Sequence, residues 1–222
     1  MALLAKLIRS KPLVWVLIVT PALWPAWPLF VTANPSATAD PLKLILHHLG
    51  FVAALLLAIV LSFTPLRVLF PKSEVALALN RHRRLVGVSA AAYATLHFTT
   101  HLLYEGGSSP AAIPAILHTA LTKPFQLVGL ISLALLLVLA VTSFKPMMRW
   151  LGGRRWKNLH RSAYVVAALV CYHQAAARKI FPMQVVWIFG TLAALEALRV
   201  AKRLRKVPAP ANAPRDRARS QS

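Results

Sequence analysis

The residues of this chain best suited to chemistry are two histidines inside apolar runs: His97, within Ala94-Thr95-Leu96-His97-Phe98-Thr99-Thr100-His101, and His173, within Val170-Cys171-Tyr172-His173-Gln174. Ionisable side chains are expensive in hydrocarbon and mark functional sites when they occur there. His97 lies 13 residues beyond Arg84, and His173 lies 12 beyond Arg161. At 1.5 Å per residue these are ~20 Å and ~18 Å of helix from the basic end of each run, so the two share one depth. Two neutral imidazoles at one level on facing helices are what bis-histidine ligation of a heme iron requires, one Nε2 approaching each face of the porphyrin. Ala90, Ala91, Ala92 and Ala94 near the first and Ala167 and Ala168 near the second leave room for a flat macrocycle. The competing role for each histidine is a hydrogen bond to a neighbouring helix.

The remaining histidines keep two readings each. His160, 13 residues before His173, falls ~20 Å lower, at the basic interface, where it can ligate a second, inner heme or meet lipid phosphate among Arg155, Lys157 and Arg161. Its level on the other run holds His82, Arg83 and Arg84, and His82 reads as a solvated loop residue. His101 is one turn beyond His97, an alternative outer ligand or an interfacial residue. His47 and His48 open their run on the outer side, placed to touch a quinone head group or heme propionate, or simply the surface. His118 reads as solvated. Glu196 and Arg199, at i and i+3, read as a structural ion pair.

Other chemistries lack their residues. One cysteine, Cys171, excludes an intrachain disulfide, a CxxC pair and a cysteine-ligated iron–sulfur cluster. HExxH, Walker, GxSxG and Gly-rich dinucleotide patterns are missing. The five acidic residues all lie at the ends of apolar runs, between them or in the C-terminal tail, whereas an ion or proton carrier normally places a carboxylate in mid-membrane.

The elements that carry these histidines follow from composition. Of 222 residues, 58% are hydrophobic and 14% charged, with a mean hydropathy of +0.60, too apolar for a soluble domain of this size. Runs long enough to span a bilayer fall at 13–33, 43–64, 85–104, 125–144, 162–178 and 183–200. The expected fold is therefore an all-α integral membrane bundle of six helices over 13–200, preceded by a short tail at 1–12. A basic, Pro- and Ala-rich tail at 201–222, read as disordered, follows it. Lys and Arg number 26 against five acids, a net charge of +21. In a soluble protein that balance points to nucleic acid, but here it fits the positive-inside rule. Twenty-two of the 26 fall on one side, in both tails and in the segments after the second and fourth runs; only Lys43, Lys123, Arg178 and Lys179 fall on the other. Both termini are expected to be cytoplasmic, in an inner membrane. A cleaved signal ending near Ala37-Thr38-Ala39 is the competing reading for the first run, which is longer than an ordinary signal core.

Several segments carry a family resemblance. These are Thr64-Pro65-Leu66-Arg67, Arg83-Arg84-Leu85-Val86-Gly87, Tyr93-Ala94-Thr95-Leu96-His97, Lys123-Pro124-Phe125, Thr142-Ser143, and Trp156-Lys157-Asn158-Leu159-His160-Arg161-Ser162-Ala163-Tyr164. In order and spacing the chain resembles the ferric-reductase-like transmembrane proteins, and more closely the heme-binding subunits of bacterial protein-methionine-sulfoxide reductase systems. The resemblance implies a six-helix cytochrome with b-type heme, and FMN. Its electrons would come from the quinone pool or a cytoplasmic flavin reductase and go to a periplasmic molybdopterin-dependent methionine sulfoxide reductase that repairs oxidised proteins. It carries His97, His160 and His173 over as heme-iron ligands and His47 as a histidine that opens the second helix. Two departures stand out: broader relatives have a second histidine on the third helix where Arg83 stands, 14 residues before His97, and they carry a flavin and nicotinamide domain that this sequence lacks. The alternatives are a stand-alone ferric or metal reductase and a cofactor-free small transporter.

Overall fold

The computed structural model describes residues 2–32, 34–107, 109–178 and 182–205, and among these the regular elements are helical. In chain order α1 is Ala2–Arg9, α2 Lys11–Leu23, α3 Pro35–Ala39, α4 Pro41–Leu69, α5 Glu74–Arg81, α6 Arg83–Gly106, α7 Ile113–Thr122, α8 Pro124–Val141, α9 Lys145–His160, α10 Ser162–Ala176 and α11 Met183–Leu204. Local signals set the boundaries. The Asp40 carboxylate caps α4 by accepting from the Lys43 N–H at 3.0 Å, and the Ser73 hydroxyl caps α5 by accepting from the Ala76 N–H at 3.4 Å. Pro41 and Pro124 open α4 and α8, where no backbone donor is needed. Gly107, at φ 60°, stops α6, and Gly152, at φ 70°, divides α9 into two short helices.

α4, α8 and α11 are long and apolar enough to cross a membrane. The other three expected spans are less regular. Pro21 lies inside α2, which ends at Leu23, and the chain resumes as a π-helical turn at Trp27–Val31, so 13–33 is not one helix. α6 has 24 residues, about 36 Å, but threonines, histidines and two arginines dilute its apolar character. α10 has 15 residues.

All six of these helices nevertheless meet in one buried core, to which Ile18, Leu57, Ala90, Leu136, Val166 and Leu192 each contribute from a different helix. Outside it, large apolar side chains such as Leu137, Val138, Trp187 and Leu198 point away from the protein. Hydrocarbon rather than water suits such a surface, and the chain is a membrane protein. α4 packs along α6 and α8 along α10, and contacts of α6 with α8 and of α10 with α4 close these four into a ring. α11 lies on α4 and runs past residue 200 to Leu204, anchored where Lys202 Nζ donates to the Leu69 carbonyl at 2.8 Å. The rest of the basic tail, from 206 onward, lies outside the described residues.

Candidate functional site

Between the four helices of the ring lies a cavity of about 270 Å³, with Ala120 of α7 also in its lining. α6 brings His97 to it and α10 brings His173, and their ring centroids stand 6.1 Å apart with the planes at 79°. The two histidines placed at one depth by counting residues thus face each other across one space. Each is held from behind by a neighbouring helix. His97 Nδ1 donates to the Leu46 carbonyl of α4 at 2.9 Å, and His173 Nδ1 donates to the Phe125 carbonyl of α8 at 2.7 Å. A carbonyl can only accept, so Nδ1 carries the proton in both rings and the Nε2 lone pair stays free. Backbone partners of this kind fix tautomer and orientation in ligating histidines. Gln174 Nε2 donates to the Gly50 carbonyl at 2.9 Å and ties α10 to α4 at the same level.

These residues fit a heme. His97 and His173, with 6.1 Å between ring centroids and Nδ1 of each on a carbonyl, would leave two imidazole nitrogens to hold its iron. Among the described residues no group of three or more His, Cys, Asp and Glu side chains is placed to hold a bare metal ion. A porphyrin supplies its own four nitrogens and asks the protein for only the two axial ones. Ala53, Ala54, Leu57, Leu133, Leu136 and Val170 make the inner lining apolar, while His47, His101, Tyr104, Glu105 and Gln126 make one end polar. A second cavity of about 230 Å³ adjoins that end and shares His101, Glu105 and Gln126.

The space is made differently from the sequence expectation. Of the alanines named beside the two histidines, Ala94 lines the cavity, but Ala90, Ala91 and Ala167 are buried in the core and Ala92 and Ala168 face outward. The room comes from α4 and α8, through Gly50, Ala53, Ala54 and Gly129. Gly50, Ala53 and Ala54 sit at i, i+3 and i+4, a stripe of small residues that could have been noticed.

The other histidines separate. His47 and His101 line the cavity with the pair. His48 turns away, its Nε2 on the Pro21 carbonyl and its ring stacked on Trp24 at 4.9 Å. His118 is exposed. His82 is buried, at 6% exposure, and not solvated: it sits at the junction of α5 and α6, where packing covers it. His160 lies outside the cavity. Its Nδ1 donates to the Trp156 carbonyl at 3.1 Å, its Nε2 is 3.3 Å from Ser143 Oγ, and its ring stacks on Trp156 at 4.0 Å. Trp156 Nε1 donates in turn to the Thr142 carbonyl at 3.0 Å, so two of the quoted motifs interlock. Glu196 and Arg199 do pair, at 2.7 Å, and Tyr164 bridges them, donating to Glu196 Oε1 and accepting from Arg199 Nη1, each at 3.1 Å.

Comparison with known proteins gives the family. The family model of the ferric reductase like transmembrane component matches residues 49–171, which hold the whole ring of helices apart from its edges. The chain belongs to this family. Relatives from Brucella ovis, Brucella canis and Brucella suis, each named protein-methionine-sulfoxide reductase heme-binding subunit MsrQ, are 35% identical over 192 residues, which cover 86% of this chain and 83% of theirs. The ferric-reductase-like match begins one residue before Gly50 and ends two before His173, so His97 and both glycines fall inside it.

Proposed function

We propose that the chain is a membrane cytochrome subunit that holds one b-type heme between His97 and His173 and passes electrons to a methionine sulfoxide reductase. The observation that carries this reading is the pair of facing imidazoles, 6.1 Å apart with both Nε2 atoms free. The heme-binding name of relatives 35% identical supports it. When bound, the heme supplies a one-electron carrier whose potential is set by axial ligands, burial and neighbouring charge.

The chain does the rest. The Leu46 and Phe125 carbonyls hold the two Nδ1 protons, which keeps both imidazoles neutral and strengthens them as ligands. The apolar lining excludes water from the ligand pair, and the polar end near His47, His101 and Gln126 is suited to acidic or polar groups. Six helices cross the inner membrane in this reading, with both termini in the cytoplasm, as 22 of the 26 basic residues favour. The His97–His173 level is then in the outer half, near a periplasmic molybdopterin-dependent partner. Electrons arrive from quinol or from a docked cytoplasmic flavin reductase, because no nucleotide fingerprint is present. His160, which lies outside the cavity with its ring stacked on Trp156 and its Nδ1 on the Trp156 carbonyl, has a structural role in this account. FMN has no residues assigned to it.

The test is reconstitution. Purified protein should show sharp reduced bands of a low-spin heme and reduce no methionine sulfoxide alone. Adding the periplasmic molybdoenzyme and a quinol or flavin donor should restore sulfoxide reduction. Heme that this partner never reoxidises, but ferric chelates do, would favour the metal reductase instead.

A further inference from the structure

We infer that Gly50 and Gly129 are positioning residues. Each is the gap in a helix wall against which one of the two imidazoles lies, and together they set the angle between the rings. The inference rests on the ligand reading of His97 and His173 and adds what orients them.

In an α-helix the carbonyl of residue i points along the axis toward residue i+4. A ring that donates to that carbonyl from the side therefore lies over the Cβ position of residue i+4. The acceptor for His97 is Leu46, and Gly50 is four residues on; the acceptor for His173 is Phe125, and Gly129 is four residues on. The same construction occurs on two helix pairs, α4 with α6 and α8 with α10.

The clearances show why no side chain fits. A Cβ at Gly50 would stand 2.9 Å from His97 Nδ1 and 3.0 Å from its Cε1. One at Gly129 would stand 2.7 Å from His173 Cε1 and 2.8 Å from its Nδ1. Favourable contact between such atoms lies near ~3.5–4.0 Å, so the imidazole would have to move, and its bond to the carbonyl beneath would lengthen. Gly106, at the end of α6, is as tight, but against Ile116 and Ala112 rather than a histidine; a Cβ at Gly87 would first meet Val60 at 3.9 Å, and one at Gly190 would meet nothing within 4 Å. Glycine weakens a helix interior relative to alanine, and at positions 50 and 129 the imidazoles supply the reason for it. Each ring lies against a neighbouring helix, His97 on α4 and His173 on α8, and the two planes stand at 79°.

The test uses full-length protein purified with its heme. In the ferric state, near-perpendicular imidazole planes give a strongly anisotropic low-spin electron paramagnetic resonance signal, and wild type should show it. Gly50→Ala and Gly129→Ala should move that signal or lose it, and should raise carbon monoxide binding to the reduced protein at least several-fold as a ligand is displaced. Gly190→Ala should change neither. A double-mutant cycle isolates the contact: Gly129→Ala should lower the thermal midpoint when His173 is present and leave it unchanged in His173→Ala.

If Gly129→Ala fails to accumulate in the membrane but the double variant accumulates, the ring contact is supported. If neither accumulates while His173→Ala does, the role is overturned. An equal effect in both backgrounds also overturns it. So do unchanged spectra in both glycine variants, and when His97→Ala and His173→Ala lose the low-spin heme in the same experiment, the ligand reading still stands. Low-spin heme retained in both histidine variants overturns the two readings together.

Discussion

The two ends of the helix ring carry the same side chain in different surroundings. At one end His97 and His173 each spend one nitrogen on a backbone carbonyl and keep the other free, facing a cavity. At the other, His160 has its Nδ1 on Trp156, its Nε2 against Ser143 and its ring on an indole. In the proposed reading it is the open space beside the second nitrogen, more than residue type or depth, that separates His97 and His173 from His160.

That contrast is breakable. The largest effect is expected from His97→Ala and His173→Ala, each of which should abolish the low-spin heme spectrum, because an iron with one axial imidazole cannot give it. Retention of full heme content in both would end the distinction between the two ends, and His101 would become the suspect.

Trp156→Ala comes next. It removes the indole that stacks on His160 and donates to Thr142, and should cost about 2–3 kcal/mol of stability, less than for a fully buried aromatic because Trp156 is half-buried. The heme bands should stay where they are, measured by thermal unfolding in detergent alongside the visible spectrum. A large spectral change with little loss of stability would assign the inner end to the cofactor.

Gln174→Leu breaks the α10–α4 tie to the Gly50 carbonyl and should cost about 1 kcal/mol with a small shift in midpoint potential, read by redox titration. Ser143→Ala should have the least effect, about 0.5 kcal/mol, because its 3.3 Å contact with His160 is long. An effect of Ser143→Ala on the heme spectrum larger than that of Gln174→Leu would reverse the ranking of the two ends.

Much of this was legible in the sequence, and the split has a physical cause. Position along a helix axis is simple arithmetic, 1.5 Å per residue, and it brought His97 and His173 to one level. Position around the axis depends on which neighbour packs where. So of the alanines next to His97 and His173 in sequence only Ala94 lines the cavity, the others turn into the core or outward, and α4 and α8 supply the rest of the room. His82 is buried, though its basic neighbours suggested solvent. Gly129, alone in an apolar run, gives no sign of its contact until His173 is seen against it. The engagement of His160 depends on Ser143, 17 residues away across the break at Gly152, a meeting that no spacing rule anticipates.

The central claim is that one heme is held by His97 and His173 and none by His160. Heme-to-protein stoichiometry of purified wild type and His160→Ala, measured by pyridine hemochrome against quantitative amino-acid analysis, tests it most directly. The account predicts one heme per chain in both proteins, with the same reduced bands. Two hemes in wild type falling to one in His160→Ala would contradict it.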